Sequence, residues 1–245
     1  MTISHSGSTL SQYGLQLSWG GNFVENVGRM LFSKAGFSGA ITAWSMLYNS
    51  FVTGAGFAIA TTLLSFLAAY ALTYFRLATA GPIFAVLMAT MMLPLEMRIL
   101  PTYQVAVDLG LYNTYTGIVL PLVASAIAVF YFRQFFRSVP DEILEAAMID
   151  GAGPIKFLTT VLVPMSLQVI ATIFTIMFIT GWNQYLWPLI ITSDEEYFTL
   201  VRGMTFVGRT SISGLVLIVL ALLPPACLVI LCRKLLIKGL FDGGH

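Results

Sequence analysis

Long apolar stretches are the feature that most limits what this chain can fold into. A helix that crosses a bilayer needs about 20 consecutive, mostly apolar residues. Five stretches of the sequence have this character, and they cover residues 49–75, 82–100, 114–136, 167–191 and 213–231. We therefore predict an all-α, polytopic helical membrane protein with about five transmembrane helices.

The composition supports this class. The 245 residues are 58% hydrophobic and 9% charged, whereas soluble domains carry about 25% charged residues. A soluble fold of this size could not bury so much apolar surface. Cys227 and Cys232 lie in one apolar stretch but on different helix faces, so we interpret them as buried free thiols. We predict no metal site, no cofactor and no catalytic residues.

The positive residues predict the orientation. Arg133 and Arg137 follow the third apolar stretch, and Arg233 and Lys234 follow the fifth. Lys and Arg accumulate on the cytoplasmic side of membrane proteins, which places the connection at about 138–166 and the C-terminus in the cytoplasm. Residues 1–48 then form an extracytoplasmic N-terminal segment, without the features of a signal peptide, and residues 49–245 form the transmembrane domain.

The connection at 138–166 is predicted to be a hairpin of two short helices. Pro140 suits the first position of a helix, and the acidic pair Asp141–Glu142 favours a helix N-terminus. Gly151 suits the helix end, where a left-handed residue is common. Gly153 and Pro154 restart a second helix that runs to Pro164.

The charge of this hairpin favours a protein partner. Four of the chain's eleven carboxylates lie here, in Asp141, Glu142, Glu145 and Asp150. Ala146–Ala147 would let another surface approach closely. An amphipathic turn lying on lipid headgroups is the alternative, but such helices usually carry Lys and Arg on the polar face. This hairpin is acidic apart from one lysine.

The same stretch resembles the EAA motif of ABC importer membrane subunits. That motif has Glu-Ala-Ala, three residues, Gly, nine residues and Ile-x-Leu-Pro. Here Glu145-Ala146-Ala147 precedes Gly151, and nine residues later the sequence reads Val-Leu-Val-Pro. The resemblance implies a coupling-helix hairpin that docks in a cleft of a cytoplasmic ATP-binding subunit. The docking residues implied are Glu145, Ala146, Ala147, Asp150, Gly151 and Pro164.

The resemblance covers about Leu47 to the C-terminus and is closest to the carbohydrate-uptake branch. Stretches 93–105, 132–154 and 181–192 are similar to branch members that import sn-glycerol-3-phosphate. This implies import of sn-glycerol-3-phosphate or related glycerophosphodiesters; a sugar or oligosaccharide is the alternative. The implied partners are two ATP-binding subunits that hydrolyse the ATP, a homologous second permease, an extracytoplasmic solute-binding protein and the lipid of a bacterial inner membrane, with no nucleic acid.

The number of spans departs from the family pattern. The family usually has six spans, and its first helix has no counterpart in this sequence. A truncated product, a misplaced start and a true five-span subunit all remain open. An inactive truncated subunit is thus one alternative function. An ion-coupled secondary transporter is another, but it would predict acidic residues deep in the spans and internal repeats, which are not evident.

Polar residues within the spans are candidates for a translocation pathway. Asn183, Gln184 and Tyr185 interrupt the fourth stretch, and amides in hydrocarbon are expected to face the bundle or a wet cavity. Contacts between helices are the alternative. Glu96 and Arg98 are expected near the outer end of the second stretch, as an outer gate contact or as a local ion pair.

Overall fold

All regular secondary structure in the described residues is helical. The computed structural model describes residues 1–32, 41–75, 77–207 and 211–241, except for the side chains of Leu95 and 236–241. The helices are α1 (Gly7–Tyr13), α2 (Phe23–Phe32), α3 (Ala43–Tyr74), α4 (Ala80–Thr90), α5 (Leu95–Asp108), α6 (Tyr115–Val119), α7 (Ala126–Phe136), α8 (Asp141–Ile149), α9 (Pro154–Phe157), α10 (Val163–Met165), α11 (Leu167–Trp182), α12 (Leu186–Ile191), α13 (Leu200–Gly203) and α14 (Ile212–Phe241). The prediction of an all-α protein is confirmed.

Two of the described helices are long and apolar enough to cross a membrane alone. They are α3 and the Ile212–Leu235 part of α14. Two bent pairs, Tyr115–Leu122 with Ala126–Phe136 and Pro154–Met165 with Leu167–Trp182, raise the number to four if each pair is one span. The predicted count of five spans therefore stays a prediction.

The second predicted span, 82–100, is not a single helix. The apolar helix α4 ends at Thr90, and α5 begins at Leu95 and continues to Asp108. Pro94 lies in the break. Proline has no backbone N–H and disfavours a helical conformation in the residue before it, so the helix stops there. Glu96 consequently lies at the start of α5 and not at the end of a span.

The chain divides into two compact units. The first contains Met1–Gly56, Pro101–Pro121 and Ile179–Leu228, and the second contains Phe57–Leu100, Leu122–Phe178 and Val229–His245. Helix α3 contributes its first part to the first unit and the rest to the second. The predicted boundary between residues 48 and 49 separates an extracytoplasmic segment from a transmembrane domain, so the division into compact units does not test it. Part of the N-terminal segment, 33–40, lies outside the described residues.

Two buried tryptophans mark the core of the first unit. Trp182 and Trp187 are each 1% exposed. The indole N–H of Trp182 donates to the carbonyl of Ala221 at 3.0 Å, and that of Trp187 donates to the carbonyl of Gly117 at 3.1 Å. Because a buried indole N–H needs a partner, these bonds fix how α12 and the end of α11, from Ile179 onwards, pack within this unit.

Aromatic side chains form the core of the second unit. The Phe66 ring lies edge-on to Phe132 and Phe136, with centroids 5.2 Å away in both cases. Tyr74 lies edge-on to Phe157 at 5.3 Å. Edge-to-face pairs contribute about 0.5–1.5 kcal/mol each beyond burial of area. The term aromatic base is used below for Phe66, Tyr70, Tyr74, Phe132, Phe136 and Phe157.

The expected burial of both cysteines was wrong for Cys227. Both thiols are free, but Cys227 is exposed and Cys232 is half-buried. The reason lies in α14, whose apolar window is only 17% buried within this chain. An apolar residue in a membrane helix can therefore face away from the rest of its own chain.

Candidate functional site

The first arm of the hairpin is α8. The structure places Pro140 just before the helix as its N-cap, one position earlier than predicted, because its extended ψ of 139° leaves Asp141 as the first helical residue. The acidic pair Asp141–Glu142 occupies the first turn, where the helix dipole favours negative charge.

Gly151 ends α8 through its backbone conformation. Its φ is +73°, the left-handed region that glycine enters at little cost. The N–H of Ala152 donates to the carbonyl of Ala147 at 2.9 Å, and the N–H of Gly151 donates to that of Met148 at 3.0 Å. This pair of bonds is a Schellman motif. A Cβ added to Gly151 would meet no atom within 4 Å, so the conformation and not space within this chain demands glycine.

The second arm runs from α9 to α10 through a wide helical turn. Pro154 takes the first position of α9, after Gly153 as N-cap. A π-helical turn, Leu158–Leu162, follows and leads directly to α10 and Pro164. Proline cannot donate a backbone hydrogen bond and its ring crowds the preceding turn, and a local π-helical adjustment is one way in which a membrane-protein helix accommodates proline. The arm then bends by 76° into α11.

The aromatic base holds the second arm of the hairpin and the end of α7, which precedes the first arm. Phe157 of the second arm is 2% exposed. The Tyr70 hydroxyl donates to the carbonyl of Pro154 at 2.9 Å, and the Tyr74 hydroxyl donates to the carbonyl of Phe136 at 3.3 Å. The hairpin, Asp141–Met165, is therefore fixed at its root to the core of the second unit.

The hairpin tip, Glu145–Ile155, is exposed. Ile149 is 86% exposed and Ile155 77% exposed, and Glu145, Ala146 and Asp150 are also exposed. Large apolar side chains beside carboxylates on one projection are typical of an interaction surface. Negative charge gives such a surface a preference for a basic partner.

The structure brings five of the six predicted docking residues together. Glu145, Ala146, Ala147, Asp150 and Gly151 lie on one helix and its cap. Pro164 lies at the far end of the second arm, in α10. The tip is therefore the candidate docking surface, and Pro164 belongs to the root.

The predicted pathway residues fall in both units. Asn183, Gln184 and Tyr185 lie between α11 and α12 in the first unit, at the interruption expected from the sequence. Tyr185 borders a cavity of about 330 Å³ whose other walls are Val201, Met204, Thr205, Val207, Gly214 and Ile218. Glu96 and Arg98 are exposed in the first turns of α5, in the second unit. Their roles in a pathway stay predictions.

Sequence reasoning missed one buried charge. Arg202 is 6% exposed. Its guanidinium Nη1 donates to the carbonyls of Pro188 and Thr192 at 3.1 and 2.5 Å, and its Cζ lies 3.7 Å from the Phe198 ring centroid. Burial lowers its pKa. An arginine within an otherwise uncharged segment, Phe198–Val207, was the available signal.

Comparison with known proteins decides the family. The sequence model of a family described as "Binding-protein-dependent transport system inner membrane component" matches residues 50–240. The chain belongs to this family. It is therefore a membrane-embedded transport component, and the predicted resemblance to ABC importer permeases is confirmed.

Relatives in this permease family share close to half of the aligned residues. The chain is 46% identical over 203 residues to the sn-glycerol-3-phosphate transport system permease protein UgpE of Agrobacterium fabrum, covering 80% of this chain and 72% of the relative. The protein of that name from Brucella melitensis is 41% identical over 229 residues, covering 91% and 81%. The one from Yersinia enterocolitica is 44% identical over 206 residues, covering 81% and 73%.

A solved structure supports the permease fold independently. The chain superposes with a TM-score of 0.80 on a chain from a bacterial ABC transporter involved in the import of the acidic polysaccharide alginate. The match covers 95% of this chain and 86% of that chain, at 22% sequence identity. It shows that the two chains share a fold.

Proposed function

We propose that this chain is the membrane permease subunit of an ATP-driven importer and that the hairpin tip docks an ATP-binding subunit. The observation that carries this proposal is the contrast within the hairpin. Its tip exposes carboxylates and large apolar side chains, while its root is buried in the aromatic base. A stiff projection of this kind can transmit a displacement from a partner to the membrane helices.

The proposed mechanism places ATP hydrolysis on separate subunits. ATP binding closes two ATP-binding subunits, and the docked hairpin moves with them. A ligand shifts a conformational equilibrium only through different affinities for the two states. The contact at the hairpin tip must therefore differ between the inward-open and outward-open states. A homologous second permease completes the pathway, and an extracytoplasmic solute-binding protein delivers the solute.

The proposed orientation places the hairpin and the C-terminus in the cytoplasm. Arg133 and Arg137 beside the hairpin, with Arg233 and Lys234 near the end of α14, support this side for both. Residues 1–48 and the connection between α12 and α14 would then be extracytoplasmic. Docking of a cytoplasmic ATPase requires this arrangement.

The proposed solute is sn-glycerol-3-phosphate or a related glycerophosphodiester. The support is the function named for relatives that are 41–46% identical over most of this chain. A sugar or oligosaccharide is the competing solute, since the carbohydrate-uptake branch contains both kinds of importer. Selectivity is shared with the solute-binding protein and the second permease.

Uptake by the complete transporter in proteoliposomes tests both parts of the proposal. The assay uses ATP inside, solute-binding protein outside and radiolabelled sn-glycerol-3-phosphate as the solute. We expect ATP-dependent uptake that disappears when this chain is omitted. A maltose-type oligosaccharide should not compete with the uptake of sn-glycerol-3-phosphate. Uptake without ATP would contradict the ATP-driven mechanism, and full competition by the oligosaccharide would contradict the solute.

A further inference from the structure

Helix α3 carries two tyrosines, one helical turn apart, of which Tyr70 binds the second arm of the hairpin and Tyr74 binds the end of α7, the helix that precedes the hairpin. The Tyr74 hydroxyl donates to the carbonyl of Phe136, the last residue of α7. The Tyr70 hydroxyl donates to the carbonyl of Pro154, the first residue of α9. Residues four apart lie on the same face of a helix, so one face of α3 binds both the second arm of the hairpin and the helix that leads into its first arm.

These bonds link parts of the chain that have no short covalent connection. Tyr70 and Pro154 are 84 residues apart in sequence, and Tyr74 and Phe136 are 62 apart. By contrast, the backbone joins the hairpin directly to α7 and α11. Any displacement of the hairpin therefore reaches α7 and α11 through covalent bonds, but it reaches α3 only through side-chain contacts.

The Tyr70 hydrogen bond depends on the position of the Pro154 carbonyl relative to α3. The carbonyl of Pro154 also accepts the N–H of Leu158 within the helix, and a carbonyl oxygen has two lone pairs. Tyr70 is 7% exposed, so water does not readily replace its hydroxyl bond. Ring packing alone permits sliding, since apolar contact is non-directional, whereas a hydrogen bond weakens steeply when its geometry changes.

We propose that Tyr70 is a positioning residue that couples α3 to the hairpin during transport, with Tyr74 as a weaker, indirect link through the end of α7. This inference rests on the proposed function. When a docked ATPase displaces the hairpin, the Tyr70 bond carries α3 with it. Without the hydroxyl, the ATPase still docks and hydrolyses ATP, but part of each displacement is lost before it reaches α3.

The substitution Tyr70→Phe tests the inference because it removes one oxygen and keeps the ring. The complete transporter is reconstituted in proteoliposomes, and solute uptake and ATP hydrolysis are measured in parallel. We expect the solute transported per ATP to fall by about two- to tenfold, the factor that corresponds to one net hydrogen bond. Copurification of the ATP-binding subunits and the Tm of the complex should stay within the range of the control.

The matched control is Tyr48→Phe, on the same helix. Tyr48 is 60% exposed and does not belong to the aromatic base, so we expect unchanged solute per ATP. Tyr74→Phe provides an independent variant with a smaller expected loss, because its bond of 3.3 Å is longer. The double variant should lose more than either single one.

The outcomes separate this inference from the proposed function. Unchanged solute per ATP in Tyr70→Phe would overturn the coupling role, as would a fall in Tm with a parallel loss of both activities. Absence of ATP-driven uptake in the unmodified transporter would instead overturn the proposed function itself. A reduced ratio in Tyr70→Phe with intact assembly supports the inference.

Discussion

The amide oxygen of Asn49 accepts a hydrogen bond of 2.7 Å from the Tyr115 hydroxyl. The amide nitrogen of the same side chain donates to the carbonyls of Glu196 and Phe198 at 2.6 and 3.0 Å. Asn49 is 2% exposed. One buried side chain near the start of α3 thus joins α6 to the segment before α13, all within the first unit.

This arrangement predicts which of two substitutions should lower the stability more. Tyr115→Phe removes one bond and should cost about 1 kcal/mol of stability. Asn49→Ala should cost more, because it leaves two buried carbonyls without their side-chain donor. Thermal unfolding of the purified transporter in detergent measures both. A larger loss of Tm in Tyr115→Phe than in Asn49→Ala would contradict the network.

Arg202 should stabilise the end of α12, because its planar guanidinium donates hydrogen bonds to the carbonyls of Pro188 and Thr192. Arg202→Ala removes charged hydrogen bonds and the contact with the Phe198 ring, and we expect a loss of about 2–4 kcal/mol. Arg202→Lys keeps the charge but cannot reproduce the flat stacking geometry, so it should rescue only part of the loss. The Tm of the complex is the measurement, with Phe198→Leu isolating the share of the ring. Equal stability of the Lys and Arg forms would argue against the stacking contact.

Substitution of Gly151 should disturb the backbone conformation of the hairpin tip. Gly151→Val should cost about 1–2 kcal/mol locally, because a left-handed φ brings Cβ against the following carbonyl oxygen. Gly151→Asn should be milder, since asparagine tolerates this region. Solute uptake and copurification of the ATP-binding subunits are the readouts.

The matched control lies two residues away. Gly153 has a φ of −71° and open space at its Cβ position, so Gly153→Ala should leave uptake unchanged. Normal uptake with Gly151→Val would count against a role for the cap in docking. Loss of uptake with Gly153→Ala alone would show that glycine is needed at the tip for close approach of a partner.

Gly117 should tolerate no side chain. A Cβ there would lie 1.9 Å from the backbone carbonyl oxygen of Leu111, and the Gly117 carbonyl is the acceptor for Trp187. Gly117→Ala must therefore move backbone, at a cost of about 1–3 kcal/mol or more. Gly56→Ala is the control, because its Cβ would meet Val119 at an ordinary 3.6 Å. Membrane-extracted yield and Tm compare the two, and equal values would contradict the close packing of α6.

Sequence periodicity and hydropathy located the elements that depend on local composition. The helices α3 and α14 are uniformly apolar over more than a membrane thickness, so a hydropathy window finds them. Gly151 indicated the end of α8, because glycine is common in the left-handed position that follows a helix. The interruption at 183–185 was visible because amides break an apolar run.

The continuation of α5 could not be found in this way. Its later residues include Gln104 and Asp108, which lower the hydropathy although the backbone remains helical. A helix is defined by its backbone hydrogen bonds, and a polar face does not end it. The predicted second span therefore stopped at Leu100, eight residues before the helix does.

The bonds that hold the site together leave no pattern in the sequence. Tyr70 and Asn49 donate to backbone carbonyls, and every residue has such an acceptor. Their partners lie 84 and 149 residues away. Only the fold brings these groups together, which is why Tyr70 and Asn49 emerged from the structure alone.

Cross-linking at the hairpin tip tests the central claim most directly. Ala146→Cys is introduced into a chain whose Cys227 and Cys232 are replaced by serine, and the complete transporter is kept in native membranes. A thiol-to-amine cross-linker should join this position to an ATP-binding subunit, whereas Leu17→Cys, in the proposed extracytoplasmic segment and 87% exposed, should not react with that subunit. An adduct at Ala146→Cys only with lipid or with an extracytoplasmic protein would contradict the account.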